Sequence, residues 1–140
     1  MNQGDLSASE MHPETRPFWE AGRAGEFLLR ICQDCGRFHW YPRAICPFCF
    51  SVRTEWRASG GEGVIYAYSV MRRATPPYAI AYVTLSEGPT MMTNIIDCDI
   101  DRLFIGQAVR LAFKPASDGR AIPCFRPVST DKPPPTTRRG

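Results

Sequence analysis

Two Cys-x-x-Cys pairs, Cys32/Cys35 and Cys46/Cys49, lie within the segment "CQDCGRFHWYPRAICPFC" and account for four of the chain's six cysteines. A Cys-x-x-Cys turn lets two thiolates of one tight knuckle converge on one ion, and two knuckles supply the four soft ligands of a tetrahedral zinc site. Gly36 follows the first pair, where a backbone turning back after the ligand needs positive φ, and Pro47 sits inside the second. Four thiolates fill the tetrahedron and leave no position for water or substrate, so the expected Zn2+ is structural. A disulfide framework and a redox Cys-x-x-Cys are the alternatives. The N-terminus lacks the basic-then-apolar order of a signal peptide, which predicts a cytoplasmic address where thiols stay reduced. His39, between the knuckles, reads as a strand-surface residue, and His12 lies in a polar lead-in.

The 140 residues allow one ordinary domain, or a small module joined to one of about 80 residues. No apolar run approaches the ~20 residues of a membrane span. Residues 1–14 read as a mobile lead-in and 15–59 as a short helix followed by the metal ribbon. Thr15 is placed to cap the helix, with Pro17 in its first turn. "FLLRI" and "RTEWRA" read as strands, and "SGGEG" as a flexible joint. Residues 60–129 carry five β-rich runs, at 64–71, 78–85, 90–97, 107–113 and 121–128, separated by Gly- or Pro-bearing turns. That rhythm predicts a small antiparallel barrel of the OB type. Residues 130–140, with three consecutive prolines, read as a disordered tail. The fold class is therefore mainly β: short N-terminal helix, rubredoxin-like zinc ribbon, five-stranded OB-fold barrel.

From "PFWEAGRAGEFLLRICQDCG" through "YPRAICPFC", "GGEGVIYAYSV" and "LSEGPTMMTNI" to "IGQAVRLAF" and "IPCFRPV", the chain resembles a family of small acyl-CoA-associated proteins long filed as domain of unknown function thirty-five. The one small departure is Tyr41, where a second proline is expected before Pro42. The resemblance implies a non-catalytic accessory subunit that joins a thiolase-like enzyme or a hot-dog-fold hydratase and helps position the acyl-CoA. It also implies partner contacts through the ribbon and helix. Phe18, Trp19, Phe38, Trp40, Tyr41 and Phe48 concentrate aromatics in a module too small to bury them all. Phe18, Trp19 and Trp40 are the interface candidates, against the simpler reading that several pack on the barrel. Arg72 and Arg73, on a proline-bounded turn, offer forked donors to CoA phosphates, with a solvated turn pair as the alternative.

Single-stranded nucleic acid is the competing ligand, because zinc ribbons and OB barrels also serve such binders. The net charge of +3 includes three cations in the tail, and Tyr66, Tyr68, Tyr78 and Tyr82 alternate with apolar residues in a way that predicts packing in or against the core. Both argue against nucleic acid. A rubredoxin-like electron carrier is a third reading, although ten residues between Cys35 and Cys46 fit a ribbon better. No catalytic residue is assigned. Cys98 and Cys124 read as small hydrophobes with no histidine in that half to activate them, and the barrel's carboxylates fall at strand ends and turns.

Overall fold

In the computed structural model, which describes residues 13–128, Pro17 occupies the first turn of α1 (Arg16–Arg23). Thr15 takes the cap position, but its helical φ/ψ of −111° and −2° does not suit side-chain capping and no such bond forms. The amides of Phe18 and Trp19 donate instead to its carbonyl, at 3.0 and 3.3 Å. Gly25, at φ +86°, turns the chain out of the helix. α1 buries Phe18 and Gly22. A Cβ on Gly22 would stand 3.4 Å from Phe113 Cε1 and 3.5 Å from the Ala121 carbonyl, so the missing side chain lets the helix lie close to the barrel.

The ribbon strands are β1 (Leu28–Cys32), β2 (Phe38–His39) and β3 (Thr54–Ala58), antiparallel in the order β2-β1-β3. β2 contains His39, read from the sequence as a strand residue, but its bounds were not predicted, because two residues are too few to show a period. The barrel strands are β4 (Glu62–Met71), β5 (Tyr78–Leu85), β6 (Thr90–Ile95), β7 (Ala108–Pro115) and β8 (Ala121–Pro127). They close in the order β4-β5-β6-β8-β7, with β7 pairing back onto β4. All pairs are antiparallel except β6 with β8, which meet in parallel at Ile95 and Phe125. A bulge between Ile65 and Ala67 lets the long β4 curl around the barrel. On β5, Ala79, Ala81, Val83 and Leu85 point inward, joined in the core by Ile65, Met91, Ile95, Val109 and Phe125. Phe18, Phe27 and Leu29 extend the same core into the ribbon.

The joint expected to be flexible is tied down. Glu87, in the β5–β6 turn, accepts from the Ser59 hydroxyl and the Gly60 amide, both at 3.0 Å. Ser59 donates its amide to Phe27 at 2.8 Å, and Leu111 donates to the Gly61 carbonyl at 2.8 Å. The assumption that a turn carboxylate is simply solvated therefore fails at Glu87. Most of the lead-in and the whole expected tail fall outside the described residues, but Glu14 accepts from the Ala44 amide at 2.6 Å and so belongs to the ribbon's surroundings. Among the described residues no helix is long and apolar enough to cross a membrane.

Candidate metal centre and neighbouring surfaces

β1 delivers Cys32 at its last residue, and the turn to β2 returns Cys35 beside it. The second knuckle, between β2 and β3, carries Cys46 and Cys49. Both turns are built alike. Gly36 donates to the Cys32 carbonyl at 2.8 Å and Phe50 to the Cys46 carbonyl at 2.9 Å, while Cys32 and Cys46 donate to the carbonyls of Arg37 and Ser51 at 3.0 and 2.9 Å. Positive φ is required after each pair, +76° at Gly36 and +66° at Phe50.

The four sulfurs lie within 4.8 Å of one another. Cys32 and Cys49 Sγ are 3.6 Å apart, and Cys35 and Cys46 Sγ 3.7 Å. These separations are far beyond a disulfide bond of about 2.05 Å. They match the edge of about 3.8 Å that a tetrahedron with 2.3 Å metal–sulfur bonds requires. Backbone amides point at the cluster, Cys35 N–H to Cys32 Sγ at 3.5 Å and Phe48 N–H to Cys46 Sγ at 3.4 Å. The Cys35 amide above all holds the Cys32 thiol down to about 7. At Cys49 the Ser51 amide acts in the same direction, but burial and the neighbouring sulfurs outweigh it and push the thiol up to about 12. Four thiols this close cannot all ionise unless a cation neutralises them, and the donor set fits a soft divalent metal with full coordination.

His39 is not on the strand surface. It is 2% exposed, and its Nε2 accepts from the Arg43 amide at 3.2 Å. Burial first, with Arg30 and Arg43 nearby, holds the imidazole below its ordinary value despite the opposing Arg43 amide bond. Phe18 is likewise not an interface residue of the folded chain. It is 2% exposed and sits against Trp19, Trp40 and Phe27 at ring-centroid distances of 5.1, 5.3 and 5.9 Å. The aromatic cluster solves its burial problem by packing across the ribbon–barrel junction. Trp19 and Trp40 stay partly exposed at its margin, and the Arg120 guanidinium lies 4.8 Å over Trp19.

Arg72 and Arg73 stand exposed in the turn after β4, and Arg72 pairs with Asp101 at 2.8 Å. Beside that turn is a cleft of about 530 Å³, lined by Thr75, Pro76, Tyr78, Asn94, Lys114 and Cys124 among others. The barrel tyrosines do not pack as expected. Tyr66, Tyr68, Tyr78 and Tyr82 are all exposed, because the β4 bulge and the outward phase of β5 turn them away from the core. Cys124 is buried and its thiol is raised by burial, whereas Cys98 is only half-buried. Sequence reasoning missed Phe50; the contrast between Cys-x-x-Cys-Gly and Cys-x-x-Cys-Phe was the available signal.

Two family models match in chain order: the ChsH2 rubredoxin-like zinc ribbon domain over residues 19–54 and the ChsH2 C-terminal OB-fold domain over residues 56–114. A "DUF35 domain-containing scaffold protein" of Methanothermobacter thermautotrophicus is 36% identical over 90 residues, 59% of this chain and 68% of that protein. A "Probable enoyl-CoA hydratase alpha subunit" of Thermomonospora curvata is 30% identical over 117 residues, 79% of this chain; the match spans only 37% of that relative's length. Among solved structures, a chain of "Ltp2-ChsH2(DUF35) aldolase" superposes with a TM-score of 0.75 at 27% identity, covering 85% of this chain and 98% of that one. A Sulfolobus solfataricus protein of unknown function from the DUF35 family shares the fold, with a TM-score of 0.59 at 15% identity, over 72% of this chain and 78% of that one. With both halves matched in order and a relative covered over two thirds of its length, the chain belongs to the DUF35 family of zinc-ribbon and OB-fold proteins.

Proposed function

We propose that this chain is a non-catalytic scaffold subunit of an acyl-CoA enzyme, with one structural Zn2+ held by Cys32, Cys35, Cys46 and Cys49. The observation that carries the reading is the likeness to the DUF35 chain named together with an aldolase, which extends over 98% of that chain. The scaffold names of the archaeal relatives support it. The chemistry agrees: a tetrathiolate site leaves no coordination position for substrate, and the zinc would serve only to hold two knuckles together. The barrel half contains no histidine to activate Cys98 or Cys124. The partner is a thiolase-like enzyme or a hot-dog-fold hydratase, and the complex works in the cytoplasm. Trp19 and Trp40 contribute their exposed edges to docking. Arg72 and Arg73 meet the CoA phosphates at the cleft beside their turn.

The test is to purify the tagged chain from its own host, identify the enzyme retained and measure zinc by elemental analysis. A stoichiometric acyl-CoA enzyme and one zinc per chain are expected; a metal-free protein that retains no such enzyme refutes the reading. Within the complex, Arg72→Ala with Arg73→Ala should raise KM for the CoA thioester and leave a thioester lacking the nucleotide nearly unchanged. The exposed tyrosines on β4 and β5 favour one second reading, stacking on single-stranded nucleic acid. Steeply salt-dependent oligonucleotide binding lost on Tyr66→Ala and Tyr82→Ala would replace the scaffold reading with that one.

A further inference from the structure

The two knuckles make the same turn with the same hydrogen bonds, yet differ at the residue that adopts positive φ. The first uses Gly36 at +76°, the residue type that reaches this region without steric cost. The second uses Phe50 at +66°, where a bulky side chain is an outlier. Strain of this kind persists where the side chain has a task, and the folded chain gives Phe50 none, since it is 76% exposed. Its neighbours share that exposure. From Arg43 to Arg53 every residue is exposed except Cys46 and the half-buried Ser51. Within this stretch Ile45, Phe48, Phe50 and Val52 present apolar side chains, Val52 at 75% exposure.

From this we infer that the tip of the second knuckle is a docking knob, with Phe50 as its anchor and Phe48, Ile45 and Val52 around it. The occupant is a protein surface with an apolar socket and an acidic rim. Charge specifies the rim: Arg37, Arg43 and Arg53 stand about the knuckle against two carboxylates, Glu14 on the Ala44 amide and Asp34 on the Ser51 hydroxyl, and the Arg37 guanidinium is stacked 3.7 Å over the Phe48 ring. Arg53 has its partner in Asp34 at 3.4 Å, which leaves Arg37 and Arg43 facing outward without an ion pair among the described residues. Exposed aromatics flanked by arginine have the composition of interface hot spots, in which a ring fills a desolvated pocket and the charges set orientation. Rigidity of the main chain suits the role, because the knuckle's hydrogen bonds fix the backbone that carries Phe50 before binding. The inference rests on the scaffold reading for the partner's identity, an acyl-CoA enzyme, and moves the principal anchor from the aromatic junction to the knuckle tip.

The experiment compares the wild-type chain with Phe50→Gly, Phe50→Ala and Phe48→Ala, measuring affinity for the co-purified acyl-CoA enzyme alongside zinc content and thermal melting. Each variant should bind at least tenfold more weakly while keeping its zinc. Phe50→Gly should melt no lower than wild type, because it restores the residue type of the first knuckle, whereas a purely structural Phe50 would give a lower melting temperature. Undiminished binding of Phe50→Gly overturns the inference and leaves the scaffold reading standing. A wild-type chain that retains no acyl-CoA enzyme overturns both. Two further measurements can also overturn it: sedimentation with phosphatidylcholine/phosphatidylserine vesicles, or self-association in analytical ultracentrifugation, if either is abolished by Phe50→Gly.

Discussion

Replacing Phe18 with alanine separates a core role from a surface role more cleanly than any other single change in this chain. The ring is 2% exposed and lies within 6 Å of three others, those of Trp19, Phe27 and Trp40. Burying a phenylalanine side chain is worth about 1.5–3 kcal/mol by transfer. Each favourable aromatic pair adds about 0.5–1.5 kcal/mol, though three pairs sharing one ring do not add in full. The cavity left behind brings the expected loss to about 4 kcal/mol, inside the range of about 3–5 kcal/mol for core Phe→Ala changes. At about 4 °C per kcal/mol for a protein of this size, the melting temperature should fall by roughly 15 °C. The assay is thermal unfolding of the isolated zinc-loaded chain by circular dichroism, with Phe48→Ala, an exposed ring, as control. A loss below about 1 kcal/mol for Phe18→Ala would refute the packing argument.

Three further outcomes follow from specific contacts. Gly63→Ala should destabilise the barrel by about 1–3 kcal/mol, since its Cβ would stand 2.6 Å from the Thr84 carbonyl oxygen and 2.7 Å from Val83 Cγ1; an unchanged urea midpoint would show that β4 and β5 have room there. Chelation, or Cys32→Ser, should release the metal and abolish the near-ultraviolet signal of the ribbon tryptophans while far-ultraviolet β structure persists, and a ribbon signal indifferent to metal would exclude the structural site. Burial lowers the His39 pKa in the folded state, so below about pH 6.5 the unfolded chain binds more protons and stability must fall with pH. The difference in melting temperature between wild type and His39→Gln, followed from pH 7.5 to 5.5, should therefore move against wild type; a constant difference would contradict the burial argument.

The barrel was legible because its signals are local. β5 runs from Tyr78 to Leu85, the limits of the apolar run, and alternation along it marks which residues face the core. The metal cluster was legible for the same reason, since thiol spacing within a turn is a short-range property. What sequence could not show were contacts made over long separations. Phe18 became core because β8 and the ribbon close over it, and Glu87 became a clamp because the β5–β6 turn reaches Ser59 and Gly60. Tyr66 and Tyr68 lie at and just past the bulge between Ile65 and Ala67, an irregularity that an alternating pattern cannot report, whereas Tyr78 and Tyr82 take the outward phase of a regularly alternating β5 that the pattern already contained. Thr15 occupies the predicted place without the predicted side-chain bond, as the backbone angle rather than residue type decided the matter.

The strand order gives the molecule a direction in time. β4, β5 and β6 form a meander whose neighbours are adjacent in sequence, and the ribbon's four cysteines lie within an 18-residue segment nearer the N-terminus. Both can organise as soon as they leave the ribosome. β8 is different: it fills the gap between β6 and β7, receiving seven cross-strand pairs from β7 and meeting β6 through Ile95 and Phe125. Until residues 121–127 have been synthesised, two strand edges remain open to any passing chain. The ribbon's four thiols can therefore be gathered while its neighbour is still vulnerable, and the final strand, which brings Phe125 against Phe27, acts as the latch that ends this interval for both halves.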